Sequence, residues 1–174
     1  VEDPVKQVMA LTGGIGVDRA IDAVGVDAMQ PDDGPAAEGV DSERHARERQ
    51  AIAPDAQPQG GLWKPGDAPT LAAEWSIKGL AKAGTLGIIG VYPPQVRSFP
   101  IGLAMNRNVT IRMGNCNHRR YVPRIVEWVK GGLVDPEAVL TQREPLTGVL
   151  EAYEAFDRRR PGWIKVALGA GKAA

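Results

Sequence analysis

The side chains best suited to hold a transition metal are few in this chain: one cysteine and two histidines. Cys116 and His118 lie only two residues apart, and His45 lies far from both in a charged, alanine-rich stretch. Protein zinc sites need three or four ligands, which are usually supplied as pairs at characteristic spacing. We therefore expect no metal site in this chain, and we interpret His45 as a solvated histidine.

Carboxylates that could serve as general acids or bases are also present, most notably Asp22 and Glu74. General acid–base catalysis needs such a group within hydrogen-bond reach of the proton that it transfers. No sequence feature places either residue beside a reacting group. The sequence accordingly indicates no catalytic residue.

Two glycine-containing turns follow apolar runs that read as strands. Residues 85–91 are almost continuously apolar, which predicts a strand of a parallel sheet that is buried on both faces. It leads into Gly90, Val91 and Tyr92, and residues 17–24 form a less uniformly apolar run before Gly25, which also reads as a strand. In open α/β sheets ligands bind beyond the carboxyl ends of the strands. The candidate binding residues are therefore Gly90, Val91 and Tyr92, with a turn glycine that serves only the backbone as the alternative.

The remaining pattern predicts helices that alternate with strands. A helix begins at Asp3-Pro4, a second covers residues 70–83 and ends at Gly84, and two more precede Gly131 and Pro161. Further strands are expected over residues 109–113 and 163–168, with residues 93–107 irregular. This order predicts an α/β fold, an incomplete Rossmann-like doubly wound parallel sheet.

Residues 26–70 differ in composition from the rest of the chain. They are polar and rich in Pro and Gly, so we interpret them as an insertion within one domain that spans residues 1–174. Residues 36–53 could form an exposed helix. Met29, Leu62 and Trp63 are the expected apolar contacts with the body of the domain.

The composition excludes several classes of partner. Twenty-one basic residues balance 21 acidic ones, so no net charge favours nucleic acid, and no apolar run is long enough to cross a membrane. A single cysteine excludes an internal disulfide framework. It indicates a reducing compartment, and we expect the cytoplasm.

Several segments, in order, resemble one family: the second half of the cofactor domain of zinc-dependent medium-chain alcohol dehydrogenases and its closing segment. The segments are residues 16–25, 82–91, 145–157 and 164–166. Residues 114–119, GNCNHR, together with the long insertion, look closest to the formaldehyde dehydrogenase-like branch.

The resemblance implies an NAD- or NADP-linked oxidoreductase, with a nicotinamide dinucleotide as partner. It implies that Val24-Gly25 and Gly90–Tyr92 line the dinucleotide crevice, that Met113 and Gly114 meet the nicotinamide, and that Lys165 approaches the phosphates. For Lys165 an ordinary solvated lysine is the equal alternative. The family's zinc ligands lie in an N-terminal part that this chain lacks, so we expect zinc only there.

Self-association is the other implied property. In the resembling family the region matching residues 109–113 pairs with its twofold mate, and Val109 and Ile111 alternate here with Thr110 and Arg112. We therefore expect a homo-oligomer through this strand. The alternative function is a non-catalytic dimerising remnant or interaction module that keeps this interface without the chemistry.

Overall fold

The computed structural model describes residues 1–54 and 64–170, which form two compact units. The first unit comprises residues 1–54 and 64–115, and the second comprises residues 116–170. Two of the predicted apolar anchors, Leu62 and Trp63, lie outside the described residues.

The first unit contains a three-stranded parallel sheet in the order β1-β2-β3. The strands are β1 (Val17–Asp22), β2 (Leu80–Ile88) and β3 (Thr110–Met113). Asp22 pairs with Ile88, which pairs with Met113. The carboxyl ends of all three strands therefore meet at one edge of the sheet. This arrangement confirms the predicted α/β class and its parallel strands.

Four helices accompany this sheet: α1 (Pro4–Leu11), α2 (Ser42–Ile52), α3 (Leu71–Gly79) and α4 (Ile101–Asn106). α1 begins as predicted, because the Asp3 carboxylate accepts hydrogen bonds from the backbone N–H groups of Val5 and Lys6 at 2.9 and 3.1 Å. α4 lies within a stretch that the sequence predicts to be irregular.

The helix predicted over residues 70–83 does not extend to Gly84. It corresponds to α3, which ends at Gly79, and β2 begins at Leu80. Arg107 explains the early end. Its Nη1 donates to the backbone carbonyls of Ile77, Lys78 and Leu80 at 3.2, 2.8 and 2.8 Å, and so satisfies the carbonyls that a helix leaves free at its C-terminus.

The core of this unit lies on one face of the sheet. Ile77 of α3 and Ala104 of α4 pack with Leu86 and Ile88 of β2. On the opposite face Ile21 is exposed. The prediction that the central strand is buried on both faces is therefore wrong within the described residues, because only one face carries packed helices.

The polar stretch that we interpreted as an insertion contains α2, and its predicted exposure is wrong in part. Ile52 and Ala36 are buried, and His45 has 0% of its surface exposed, so it is not a solvated histidine. Met29, the predicted anchor, is exposed instead. Polar side chains thus attach this segment to α3 together with apolar ones, since Ala28 and Ala68 pack against Leu71.

The second unit contains α5 (His118–Lys130), β4 (Gln142–Pro145), α6 (Val149–Asp157) and β5 (Val166–Gly169). β4 and β5 pair in parallel. The apolar side chains of α5 are exposed: Tyr121, Val122, Ile125, Val126, Trp128 and Val129. Over the described parts of both units, no helix combines the length and apolar character that a membrane crossing requires.

Candidate ligand-binding edge of the sheet

The strand-end edge, defined here as residues 22–26, 88–92 and 113–114, begins with a buried carboxylate. Asp22 is the last residue of β1 and is 2% exposed. Its Oδ1 accepts hydrogen bonds from the backbone N–H groups of Val24 at 2.9 Å and Gly25 at 3.0 Å. An aspartate that accepts bonds from backbone N–H groups two and three residues ahead stabilises a tight turn. Asp22 therefore fixes the turn after β1.

The second oxygen of Asp22 binds the turn after β2. Tyr92 donates its phenolic O–H to Asp22 Oδ2 at 2.5 Å, and its ring packs against the core. Burial raises the pKa of Tyr92, and the hydrogen bond to Asp22 and the negative charge of that carboxylate raise it further. The phenol consequently remains a protonated donor near neutral pH.

Backbone hydrogen bonds join the same two turns. The N–H groups of Ile89 and Gly90 both donate to the carbonyl of Asp22 at 2.9 Å, and the N–H of Val26 donates to the carbonyl of Val91 at 3.1 Å. The turns after β1 and β2 therefore form one connected structure.

Gly25 and Gly90 lie where these turns approach most closely. A Cβ atom added to Gly25 would lie 2.4 Å from the backbone nitrogen of Val91, and one added to Gly90 would lie 2.3 Å from the backbone nitrogen of Gly25. Gly25 also has a φ of +65°, which disfavours other residues. The contact between the two turns thus accounts for both glycines without a ligand.

The outer surface of the edge is apolar and open. Val91 and Met113 are each 74% exposed, and Val24 is also exposed. A Cβ atom added to Gly114 would meet no atom within 4 Å. The edge therefore offers an apolar surface that a flat ring could cover, next to a pair of turns joined by hydrogen bonds.

Of the residues predicted from the sequence, seven belong to this edge: Val24, Gly25, Gly90, Val91, Tyr92, Met113 and Gly114. The eighth, Lys165, lies in the second unit just before β5, where it is exposed and its backbone N–H donates to Thr141 Oγ1 at 3.2 Å.

Metal-binding side chains do not come together in the part of the chain that the structure describes. No group of three or more His, Cys, Asp or Glu residues there could hold an ion. Cys116 is exposed, and His45 is buried in the first unit. The donor set of these residues does not fit a zinc ion.

Sequence reasoning missed the role of Asp22. The available signal was an aspartate placed three residues before a glycine at the end of a strand, which is a local turn signature.

It also missed a buried group that we call the α2 polar cluster: Arg44, His45, Glu48, Thr70 and Glu74. Thr70 Oγ1 donates to Glu48 Oε2 at 2.7 Å, and Arg44 Nη1 forms an ion pair with Glu74. Arg44 Nη2 lies 3.2 Å from His45 Nε2, so the guanidinium donates to that ring nitrogen. His45 Nδ1 lies 3.5 Å from Glu48 Oε2 and makes no hydrogen bond. The cluster attaches α2 to α3, and His45, which is fully buried, is not accessible to a substrate.

The parallel sheet and the glycine turns at its carboxyl edge define this chain as part of a Rossmann-like α/β domain. A structure described as an NAD-dependent alcohol dehydrogenase shares this fold, with a TM-score of 0.58 and 21% identity over 98% of this chain and 36% of its own. No family model matches the sequence.

Among curated proteins, the chain is similar to alcohol dehydrogenases and to zinc-type alcohol dehydrogenase-like proteins. An uncharacterised zinc-type alcohol dehydrogenase-like protein of Bacillus subtilis is 39% identical over 87 residues, which are 50% of this chain and 23% of that protein. An alcohol dehydrogenase of Cupriavidus necator is 26% identical over 171 residues, which are 95% of this chain and 34% of that protein. The chain thus spans between about a quarter and a third of the length of these relatives.

Proposed function

We propose that this chain is the C-terminal cofactor-binding part of a zinc-dependent, NAD- or NADP-linked alcohol dehydrogenase-like oxidoreductase. The observation that carries the proposal is the open apolar surface of the strand-end edge, held beside two joined turns at the carboxyl ends of parallel strands. Such edges are the usual ligand sites of open α/β sheets. The similarity to zinc-type alcohol dehydrogenases supports the same assignment.

Within this proposal the edge binds the nicotinamide end of the dinucleotide. Val24, Val91 and Met113 supply the apolar contact, and Gly114 leaves room for the ring. The bound cofactor supplies hydride transfer, and the residues described here bind and orient it. The formaldehyde dehydrogenase-like branch is supported by the resemblance of residues 114–119, and the cytoplasm by the single cysteine.

The methionines give a direct test of cofactor binding. The chain has four of them, and Met113 at the edge can be compared with Met105 on α4, because they are 74% and 77% exposed. We expect NAD titrated onto the chain with ¹³C-labelled methionine methyl groups to shift the NMR signal of Met113. The shift should saturate on the order of millimolar, about 4 kcal/mol at standard state, because these residues contact only part of the cofactor.

Met105 is the internal control, since an equally exposed methyl group on α4 should not respond. A variant with Val91→Asp should weaken the Met113 response, and Leu133→Asp, a substitution at an exposed apolar residue of the second unit, should not. Equal shifts of Met113 and Met105 would indicate nonspecific binding and would contradict the proposal.

We also expect the 174 residues alone not to oxidise alcohols or formaldehyde, with or without added zinc. Hydride transfer in this class needs the substrate oxygen on a metal beside the nicotinamide, and the donor set here does not fit zinc. Multiple turnovers by the purified chain would contradict this part of the proposal.

A second candidate function is the dimerising module, and the position of β3 favours it. β3 is one of the two edge strands of the described sheet, with Thr110 and Arg112 exposed and Val109 and Ile111 packed inward. Edge strands present unpaired backbone groups to other chains. Ile111→Lys would damage the core as well as the edge, so Thr110→Glu is the sharper variant. If sedimentation detects the same species for Thr110→Glu and the parent, self-association does not use β3.

A further inference from the structure

We propose that Asp22 and Tyr92 form a positioning pair that holds the turns after β1 and β2 as one rigid surface for the dinucleotide. The inference rests on the proposed function for its ligand. It assigns a role to two side chains, one of which contributes no exposed surface to the edge.

The first step is geometric. The hydrogen bond between Tyr92 and Asp22 joins residues that are 70 positions apart in the chain, and each belongs to a different turn. Asp22 uses both of its oxygens: Oδ1 accepts from its own turn and Oδ2 accepts from the phenol of the other. One buried carboxylate thus fixes the relative position of both turns.

The second step is energetic. A short hydrogen bond to an ionised carboxylate is among the stronger kinds in proteins, and burial strengthens it further. The backbone bonds that also join the turns, such as Val26 N–H to the Val91 carbonyl, act between neutral groups. The Asp22–Tyr92 bond is therefore a major contributor to the stiffness of this junction.

The third step connects the pair to the binding surface. Val24 donates its backbone N–H to Asp22, and Val91 precedes Tyr92 directly. Both valines are exposed on the apolar surface, whereas Asp22 is buried beneath it. Loosening the pair would therefore move the two valines relative to each other, so Asp22 acts through them.

Tyr92→Phe is the sharpest variant, because it keeps the ring that packs on the core and removes only the donor. We expect hydrogen exchange of the backbone amides of Val26, Ile89 and Gly90 to become about tenfold faster. We also expect the NAD concentration that half-saturates the Met113 shift to rise severalfold. Tyr121→Phe, which alters an exposed phenol of the second unit, should change neither measurement.

Asp22→Asn tests the charge separately from the shape. The amide oxygen can still accept from Val24 and Gly25, but its nitrogen now donates to the phenol oxygen. We expect an effect smaller than that of Tyr92→Phe. In the double variant the two effects should not add, since both substitutions alter the same contact between residues 22 and 92.

Unchanged amide exchange in Tyr92→Phe would overturn the proposal, because the pair would then not hold the turns. Faster exchange in Tyr92→Phe with unchanged NAD affinity would also overturn the proposal. The pair would then hold the turns in the parent chain, but NAD binding would not depend on how they are held. If NAD leaves the Met113 signal of the parent chain unmoved, the proposed function fails and the ligand-positioning role fails with it. The exchange measurement still reports separately whether the pair holds the turns.

Discussion

The strand-end edge and the α2 polar cluster each depend on a buried carboxylate, but different parts of the chain satisfy these two groups. Asp22 accepts two hydrogen bonds from the backbone of its own turn and one from Tyr92. Glu48 accepts its hydrogen bond from Thr70, which lies 22 residues away. A carboxylate satisfied locally leaves a trace in the sequence, whereas one satisfied by a distant side chain does not.

The two regions also differ in what else stabilises them. Tyr92 adds its ring to the apolar core beneath the edge. On α2 the buried side chains are His45, Glu48 and Ile52, so two of the three are polar. Docking of α2 therefore depends strongly on the few polar contacts that the cluster makes, and loss of one of these partners should be costly.

The largest expected effect comes from Glu48→Ala. This substitution removes the carboxylate beside His45, and it leaves the buried Thr70 hydroxyl without its acceptor. We expect a loss of about 2–4 kcal/mol in the free energy of unfolding, measured by urea denaturation. Glu43→Ala, at an exposed position of the same helix, is the control and should have no measurable effect. Equal stability of both variants would mean that the α2 polar cluster does not hold α2.

The next effect tests the edge in the same way, with two glycine substitutions that differ in available space. A Cβ atom at Gly90 would meet backbone atoms at 2.3 Å, whereas one at Gly102 on α4 would meet nothing within 4 Å. We expect Gly90→Ala to lose about 1–3 kcal/mol in unfolding free energy through overpacking. Gly102→Ala should gain about 0.5–1 kcal/mol, because alanine favours a helix. If Gly90→Ala leaves the unfolding free energy unchanged, the two turns are less closely packed than the structure indicates.

The contrast between these regions explains which features could be predicted. Parallel strands, the cap at Asp3 and the glycines at the strand ends follow from patterns within a few residues. The end of α3 could not be predicted in this way. The apolar run through Leu80 and Ala81 continues the helical pattern, and the helix is capped by Arg107, which is far along the chain.

The α2 polar cluster was missed for the same reason. Arg44 and Glu74 are 30 positions apart, and the sequence around His45 is typical of a solvated helix. The apolar stripe of α5 is exposed, although such a stripe usually faces a core. Its spacing correctly predicts an amphipathic helix, but periodicity alone does not tell what covers the stripe.

Arg44→Lys separates charge from geometry in the cluster and should have a smaller effect. Arg44 contacts Glu74 through Nη1 and His45 through Nη2, and the hydrogen bond to Glu74 is the main reason that the pKa of Arg44 is raised. A lysine keeps the charge but cannot present two fixed donors. We expect a loss of about 1 kcal/mol in unfolding free energy. Arg47→Lys, which alters an exposed arginine of α2, is the control. An equal loss of unfolding free energy there would show that the two fixed guanidinium donors of Arg44 are not needed.

The smallest expected effect is a pH dependence at the edge that the cluster should not share. Burial and Asp22 raise the pKa of Tyr92 above its ordinary value of 10.0, so the folded chain holds the phenolic proton more tightly than the unfolded chain does. The stabilisation from this pair is therefore complete below about pH 10 and decreases as the pH rises above it, because the unfolded phenol then ionises. We expect Tyr92→Phe to be less stable than the parent at pH 8, and the difference in unfolding free energy to shrink between pH 9 and 11. The difference between Glu48→Ala and the parent should stay constant over that range, since no tyrosine belongs to the cluster. A Tyr92→Phe difference that widens with pH would mean that the phenol ionises more easily in the folded chain, which would contradict its burial beside a carboxylate.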